Sequence, residues 1–86
     1  NVVIAQAADE LLTMKGIEAS FVLGTKEDQI FISARSFGNI NVQLLMEKLG
    51  GGGHLDIAGA QIKDVSLNEA YKTVYELIEQ YLEEEE

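Results

Sequence analysis

The chain contains no cysteine, no proline and no tryptophan. The lack of cysteine excludes disulfides, thiolate metal sites and cysteine nucleophiles. A single histidine, His54, leaves too few soft ligands for a structural zinc site. Without proline, the breaks between elements must come from glycine and from polar clusters. No apolar run approaches the roughly 18–20 residues of a membrane-spanning helix, and no signal-peptide pattern opens the chain. The first residue is Asn1 and not methionine, which reads as a piece of a longer protein. Basic residues are also scarce. Six stand against 15 acidic ones, for a net charge of −9, a balance that repels nucleic-acid backbones at long range.

What is present suffices for one small globular domain. Hydrophobic residues make up 47% of the 86, which argues against disorder. The acidic surplus lies in the two flanks. Residues 30–63 hold Arg35, Lys48 and Lys63 against only Glu47 and Asp56. A small phosphorylated ligand is tolerated there, whereas a long duplex would also meet the acidic ends.

Apolar periodicity divides the chain into elements. Ile4, Ala8, Leu11 and Leu12 predict a helix over residues 3–15, ended by Gly16. Ile17, Ala19, Phe21 and Leu23 fall on one face, with Glu18, Ser20 and Val22 on the other, and predict a strand over 17–24. Residues 25–28 form a polar break. Residues 29–36 resume the alternation, with Ile30, Ile32 and Ala34 on one face and Phe31, Ser33 and Arg35 on the other. The pair reads as a hairpin. Asn39 or Asn41 caps a short helix over 41–49, whose apolar face is Val42, Leu45, Met46 and Leu49. Gly50–Gly53 end regular structure, and a third strand is predicted over 58–63. Ser66-Leu67-Asn68-Glu69 is a capping box, with Val65 and Ala70 as a hydrophobic staple. It opens a last helix whose buried stripe is Ala70, Val74, Leu77, Ile78 and Tyr81. Phe37, Tyr71 and Tyr75 read as core or rim aromatics, and Glu83–Glu86 as a frayed, solvated end. The expected fold is a small α+β domain, helix-strand-strand-helix-strand-helix, with helices packed on a short mixed or antiparallel sheet.

The feature with most chemical content is Gly50-Gly51-Gly52-Gly53-His54. Each glycine loses more backbone freedom on folding than any other residue. A folded domain gains from four of them where the backbone turns left-handed or approaches something closely. Bare amides can converge on an anion as a nest, with the imidazole adding a donor for phosphate or a face for a base. The alternative is a flexible linker. The run is neither a Walker loop, for which Lys-Ser/Thr is missing, nor a dinucleotide fingerprint, since it follows a helix. His54 with Asp56 is at most a pair of metal ligands. Ser33 and Arg35, two apart on one strand, point the same way, and the arginine fork matches phosphate geometry. The alternative for Arg35 is an ion pair with one of the many carboxylates. No nucleophile–base–orienter set can be assembled. These residues point to a phosphate- or nucleotide-binding module with no reaction centre of its own. A small interaction module, or single-stranded RNA binding through a KH-like GxxG loop, are the other readings, and the charge of −9 weighs against the latter.

Gly51-Gly52-Gly53-His54 followed by Ala58-Gly59 resembles the signature of the DHH-associated C-terminal domain of the DHH phosphoesterases. Ala7-Ala8-Asp9-Glu10-Leu11-Leu12, Ile17 to Val22, Ile32-Ser33-Ala34-Arg35-Ser36 and Asn41 to Leu44 extend the likeness over nearly the whole chain. They make it similar to the C-terminal end of the membrane-anchored cyclic di-AMP phosphodiesterases of Firmicute-type bacteria. The resemblance implies that residues 1–86 are a substrate-binding domain and that the catalytic DHH domain, with two manganese ions, lies in absent sequence. It implies that Gly51, Gly52, Gly53 and His54 form the substrate loop and that Ser33 and Arg35 hold phosphate. It implies hydrolysis of cyclic di-AMP to linear pApA by the whole enzyme and none by this part alone. A phosphoesterase of the same family acting on short oligonucleotides or pAp is the runner-up. The implied partners are cyclic di-AMP or a short linear dinucleotide and the DHH domain of the same polypeptide, with room for a homodimer. The implied place is the cytoplasmic face of the bacterial membrane, with no direct membrane contact by this segment. Ile57 departs from the family pattern, which usually has a second alanine there, and this predicts different packing behind the loop.

Overall fold

The two alternating segments pair with each other and supply the centre of the sheet. In the computed structural model, which describes residues 2–84, β1 (Ala19–Lys26) and β2 (Gln29–Ser36) are antiparallel from Lys26↔Gln29 to Ala19↔Ser36. The turn is tighter than the polar run 25–28 suggested. Thr25 and Lys26 stay in the strand, and only Glu27 and Asp28 turn, with φ of 52° and 64°. Two consecutive left-handed residues match the twist of a two-residue hairpin.

The other elements are α1 (Val2–Leu12), α2 (Val42–Glu47), β3 (Gly52–Gly53), β4 (Ile57–Lys63) and α3 (Leu67–Glu84). The sheet order is β1-β2-β4-β3, antiparallel throughout. The α+β architecture and the expected order hold, with one addition. Gly52 and Gly53, read from the sequence as the end of regular structure, pair with Gly59 and Ala58 as a fourth strand. A ladder bond needs only backbone, so residues without side chains can form one where a neighbouring strand is in reach.

The alternation along β2 assigns its two faces. Ile30, Ile32 and Ala34 are buried together with Ala58, with Val42, Leu45 and Met46 of α2, and with Ala70 and Val74 of α3. The opposite face carries Phe31, Ser33 and Arg35. There α1 lies over β1 and β2 through Ile4 and Ala8. A Cβ on Gly24 would stand 2.8 Å from Ile4 Cγ2, so this glycine permits the close seat of the helix. Among the described residues, no helix packs across the β4–β3 half of that face.

Element ends follow local hydrogen bonds. α1 stops at Leu12, short of the predicted residue 15, because Thr13 turns back on Glu10 O through both its N–H (3.1 Å) and its Oγ1 (2.6 Å). Ile17 is correspondingly outside β1, which begins two residues later than its apolar pattern. α2 is capped by Asn41, whose Oδ1 accepts from Leu44 N at 3.2 Å, while Asn39 donates to Glu18 instead. The capping box of α3 closes in both directions, Glu69 N to Ser66 Oγ at 3.1 Å and Ser66 N to Glu69 Oε1 at 3.3 Å. Tyr81 belongs to the buried stripe and also does something periodicity does not show. Its hydroxyl accepts from Asn41 N at 2.9 Å and ties the far end of α3 to the start of α2. Phe37, Tyr71 and Tyr75 are rim residues, 71%, 50% and 64% exposed. Of the terminal acidic run, Glu83 and Glu84 continue α3, and residues 85–86 lie outside the described residues.

Tyr81→Phe is expected to lower stability by about 1 kcal/mol, because a half-buried backbone donor loses its acceptor. Ser66→Ala is expected to cost a similar ~1 kcal/mol through the lost cap. Urea unfolding with unchanged m-values checks both.

Candidate ligand-binding face of the sheet

Residues directly opposite one another across strands share a face. The register therefore sets Ser33, Gly59 and Gly52 in one row on the half-open face. Arg35 and Ile57 form the next row on one side, Phe31 and Gln61 the row on the other. Two of the three positions in the middle row have no side chain. The result is a floor of bare backbone with a hydroxyl at one end. An open groove of about 480 Å³ lies over the Ser33–Gly59 part of it, with Ile4, Phe31, Ser33, Gly51, Gly59 and Gln61 among its walls, and Gly52 stands next to that lining.

Ser33 differs from the other two buried serines. Ser20 Oγ donates to Ala8 O at 2.7 Å, and Ser36 Oγ to Ile40 O at 2.7 Å, so both are structural. The Ser33 hydroxyl bonds to none of the described residues. No fully enclosed side-chain oxygen or nitrogen among them lacks a partner, so this hydroxyl is open to the groove.

The glycine loop is held by its own backbone. Gly50 turns off α2 with φ 83°. Gly50 N donates to Glu47 O at 3.1 Å, Gly51 N to Met46 O at 2.9 Å, and His54 N to Ile57 O at 2.7 Å. The expected nest of four converging amides is therefore not what residues 51–54 form. Gly51 and His54 donate inward, and Gly52 faces Gly59 across the ladder. Antiparallel pairs alternate between bonded and non-bonded. The bonded His54–Ile57 pair leaves the Gly53 N–H directed off the free edge of β3. The glycines answer a steric demand. A Cβ at Gly51 would collide with Gly59 O and come within 2.7 Å of Ala60 Cα, and one at Gly53 would lie 2.6 Å from Ala58 Cα. A Cβ at Gly52 would meet nothing within 4 Å. Ile57 is 50% exposed, so its departure from the family pattern alters the surface of the turn, while Ala58 packs behind the loop.

The remaining expected residues are less closely gathered. Arg35 shares the face of Ser33, but its Nε donates to Asp9 Oδ1 of α1 at 2.7 Å and its Nη1 to Ala34 O at 3.0 Å. It is the ion-paired arginine that the acidic composition allowed, and it is not part of the groove wall. His54 is exposed at the tip of the β3–β4 turn, and its ring makes no hydrogen bond among the described residues. Among those residues no three His, Asp or Glu side chains gather closely enough to hold a metal ion. Sequence reasoning missed Gly59, Phe31 and Gln61 as parts of the groove, and Asp9 as the partner of Arg35. Only the β2–β4 register and the seat of α1 reveal them.

Fold and face together define a small α+β module with one half-covered sheet surface floored by glycine. A model of the DHHA1 domain family matches residues 1–84, and the chain belongs to that family. It is 54% identical over 82 residues to the cyclic-di-AMP phosphodiesterase PdeA of Listeria monocytogenes, covering 94% of this chain and 12% of that protein. It is 38% identical over 69 residues to the bifunctional oligoribonuclease and PAP phosphatase NrnA of Thermus thermophilus, covering 80% of this chain and 21% of that protein. Among solved structures, an exopolyphosphatase-related protein from Bacteroides fragilis superposes with a TM-score of 0.78 at 29% identity, over 86% of this chain and 22% of that one. The chain thus spans about an eighth to a fifth of the curated relatives' length.

Gly51→Ala is expected to destabilise the fold by roughly 1–3 kcal/mol, since backbone must shift to admit the methyl group. Gly52→Ala is expected to stay within about 1 kcal/mol of wild type. Thermal melts of the two variants side by side check the contrast.

Proposed function

We propose that this chain is the substrate-holding domain of a manganese-dependent cyclic di-AMP phosphodiesterase that hydrolyses the cyclic dinucleotide to linear pApA. The observation that carries the reading is the unpartnered Ser33 hydroxyl at the end of the Gly59–Gly52 floor. Strong identity to PdeA over nearly the whole chain supports the substrate. A bare floor lets a sugar–phosphate backbone lie against the sheet, and Ser33 Oγ donates to a non-bridging phosphate oxygen. Arg35 holds phosphate through the donors that Asp9 and Ala34 leave free. Gly51 and Gly53 keep the loop close to β4. Gly52 leaves space for the ligand, the Gly53 N–H adds an edge donor, and His54 offers its imidazole from the turn.

Hydrolysis belongs to a DHH domain outside this chain. The described residues do not fit manganese, since no three ligating side chains come together, and no step is assigned to the metal on this chain. Membrane anchoring would likewise reside elsewhere in the parent protein; no helix of the described residues is long and apolar enough to cross a bilayer. The likeness to NrnA favours one second reading, an oligoribonuclease or pAp phosphatase with the same division of labour.

Titration with cyclic di-AMP, pApA and pAp, followed by amide chemical shifts, tests the proposal. Cyclic di-AMP and pApA are expected to move the resonances of Ser33 and Gly51–His54. Ser33→Ala is expected to weaken binding about tenfold, the scale of a hydrogen bond to a charged group. A response to pAp alone would favour the second reading, and no response at millimolar ligand would sink both. With manganese added, this chain alone is expected to hydrolyse none of the three, and sustained turnover would contradict the division of labour.

A further inference from the structure

We infer that Asp9 is a positioning residue for Arg35, holding its guanidinium so that the outer pair of N–H groups is left for a phosphodiester. The inference rests on the proposed role of Arg35 and adds a residue from α1.

The geometry is a matter of donor accounting. A guanidinium carries five N–H donors in a rigid plane. The Asp9 carboxylate accepts from Nε at 2.7 Å, along one edge of the plane. Ala34 O takes one Nη1 hydrogen at 3.0 Å. The second Nη1 hydrogen and both Nη2 hydrogens are not used by these bonds. One from each nitrogen makes the end-on fork that matches two oxygens of a phosphate. Two fixed bonds on a planar group also define its rotation.

The seat of Asp9 is independently set. Ser20 lies directly opposite Arg35 in the β1–β2 register. Its buried hydroxyl donates to the carbonyl of Ala8, the fully buried residue next to Asp9 in α1. Adjacent helix positions 8 and 9 are thus bonded to the two residues of one cross-strand row. Ser20 determines where the helix lies, and Asp9 determines how the arginine is turned. The Asp9 side chain is 63% exposed against 12% for Arg35, so the carboxylate also offsets part of the cost of burying the guanidinium, and a binding readout separates positioning from that contribution.

Positioning and plain charge competition predict opposite signs. Removing the carboxylate makes the surroundings of Arg35 more positive, which by itself would tighten anion binding. If Asp9 positions Arg35, the loss of order outweighs this. The experiment titrates wild type, Asp9→Ala, Asp9→Asn and Arg35→Ala with linear pApA and records the Arg35 Nε–H resonance of each free arginine-containing chain. Alanine is a strong helix former at an exposed site, and the amide spectrum verifies the fold of each variant. Asp9→Ala is expected to weaken binding about three- to tenfold, the scale of immobilising one flexible side chain, with the Nε–H signal lost to solvent exchange. Asp9→Asn, whose amide oxygen can still accept from Nε, is expected to retain both the signal and affinity within about twofold. Unchanged or tighter binding by Asp9→Ala, with Arg35→Ala impaired, overturns the inference and leaves the proposed function standing. Full binding by Arg35→Ala, or no binding by wild type at millimolar pApA, removes the proposed role of Arg35 and the inference with it.

Discussion

The ladder between β2 and β4, from Gln29↔Lys63 to Arg35↔Ile57, is the constraint on which the other features depend. It joins the N-terminal hairpin to the second half of the chain. It buries Ile30, Ile32, Ala34 and Ala58 in one core. It also places Gly59 beside Ser33, the pairing that creates the groove floor. A slip of one residue would reverse every side chain of β4. Ala58 would then leave the core, and Gly59 would no longer lie beside the serine.

The glycine run is best understood from this ladder outward. Gly51 and Gly53 lie so close to β4 that backbone contacts backbone, and the amides of Gly51 and His54 are taken up in holding that position. The close fit leaves Gly52 and Gly59 side by side with no side chain above them. The loop contributes mainly by what it omits. The polar groups near this floor belong to the neighbouring strand and the turn: Ser33, Arg35 and His54, with the one outward amide of Gly53. The large negative charge of the chain lies mostly in its flanks, and residues 30–63, which supply the glycine loop, β4 and all but the first residue of β2, carry no acidic surplus.

Much of this was legible in the residues. The α+β class and the element order were readable because local patterns differ sharply: period two in 29–36, a helical stripe from Ala70 to Tyr81, a capping box at Ser66. Ser33 and Arg35 could be placed on one face because alternation is a property of the strand itself. The DHHA1 membership was readable from the glycine motif and its flanking segments. Boundaries were less accurate. Thr13 ended α1 early through its own hydroxyl, and Glu27 and Asp28 absorbed the hairpin turn alone, since both could turn left-handed.

The sequence by itself determined the element types, the face on which each strand residue stands and the charge distribution, because these follow from nearest-neighbour periodicity and composition. Only the tertiary structure decided that two glycines form a strand, that the amides of Gly51 and His54 turn inward, that Gly59 lies beside Ser33, and that Arg35 is held by Asp9. Each of these joins positions distant along the chain. Pairing register and helix docking choose such partners by packing the whole core at once, and no local pattern records the choice.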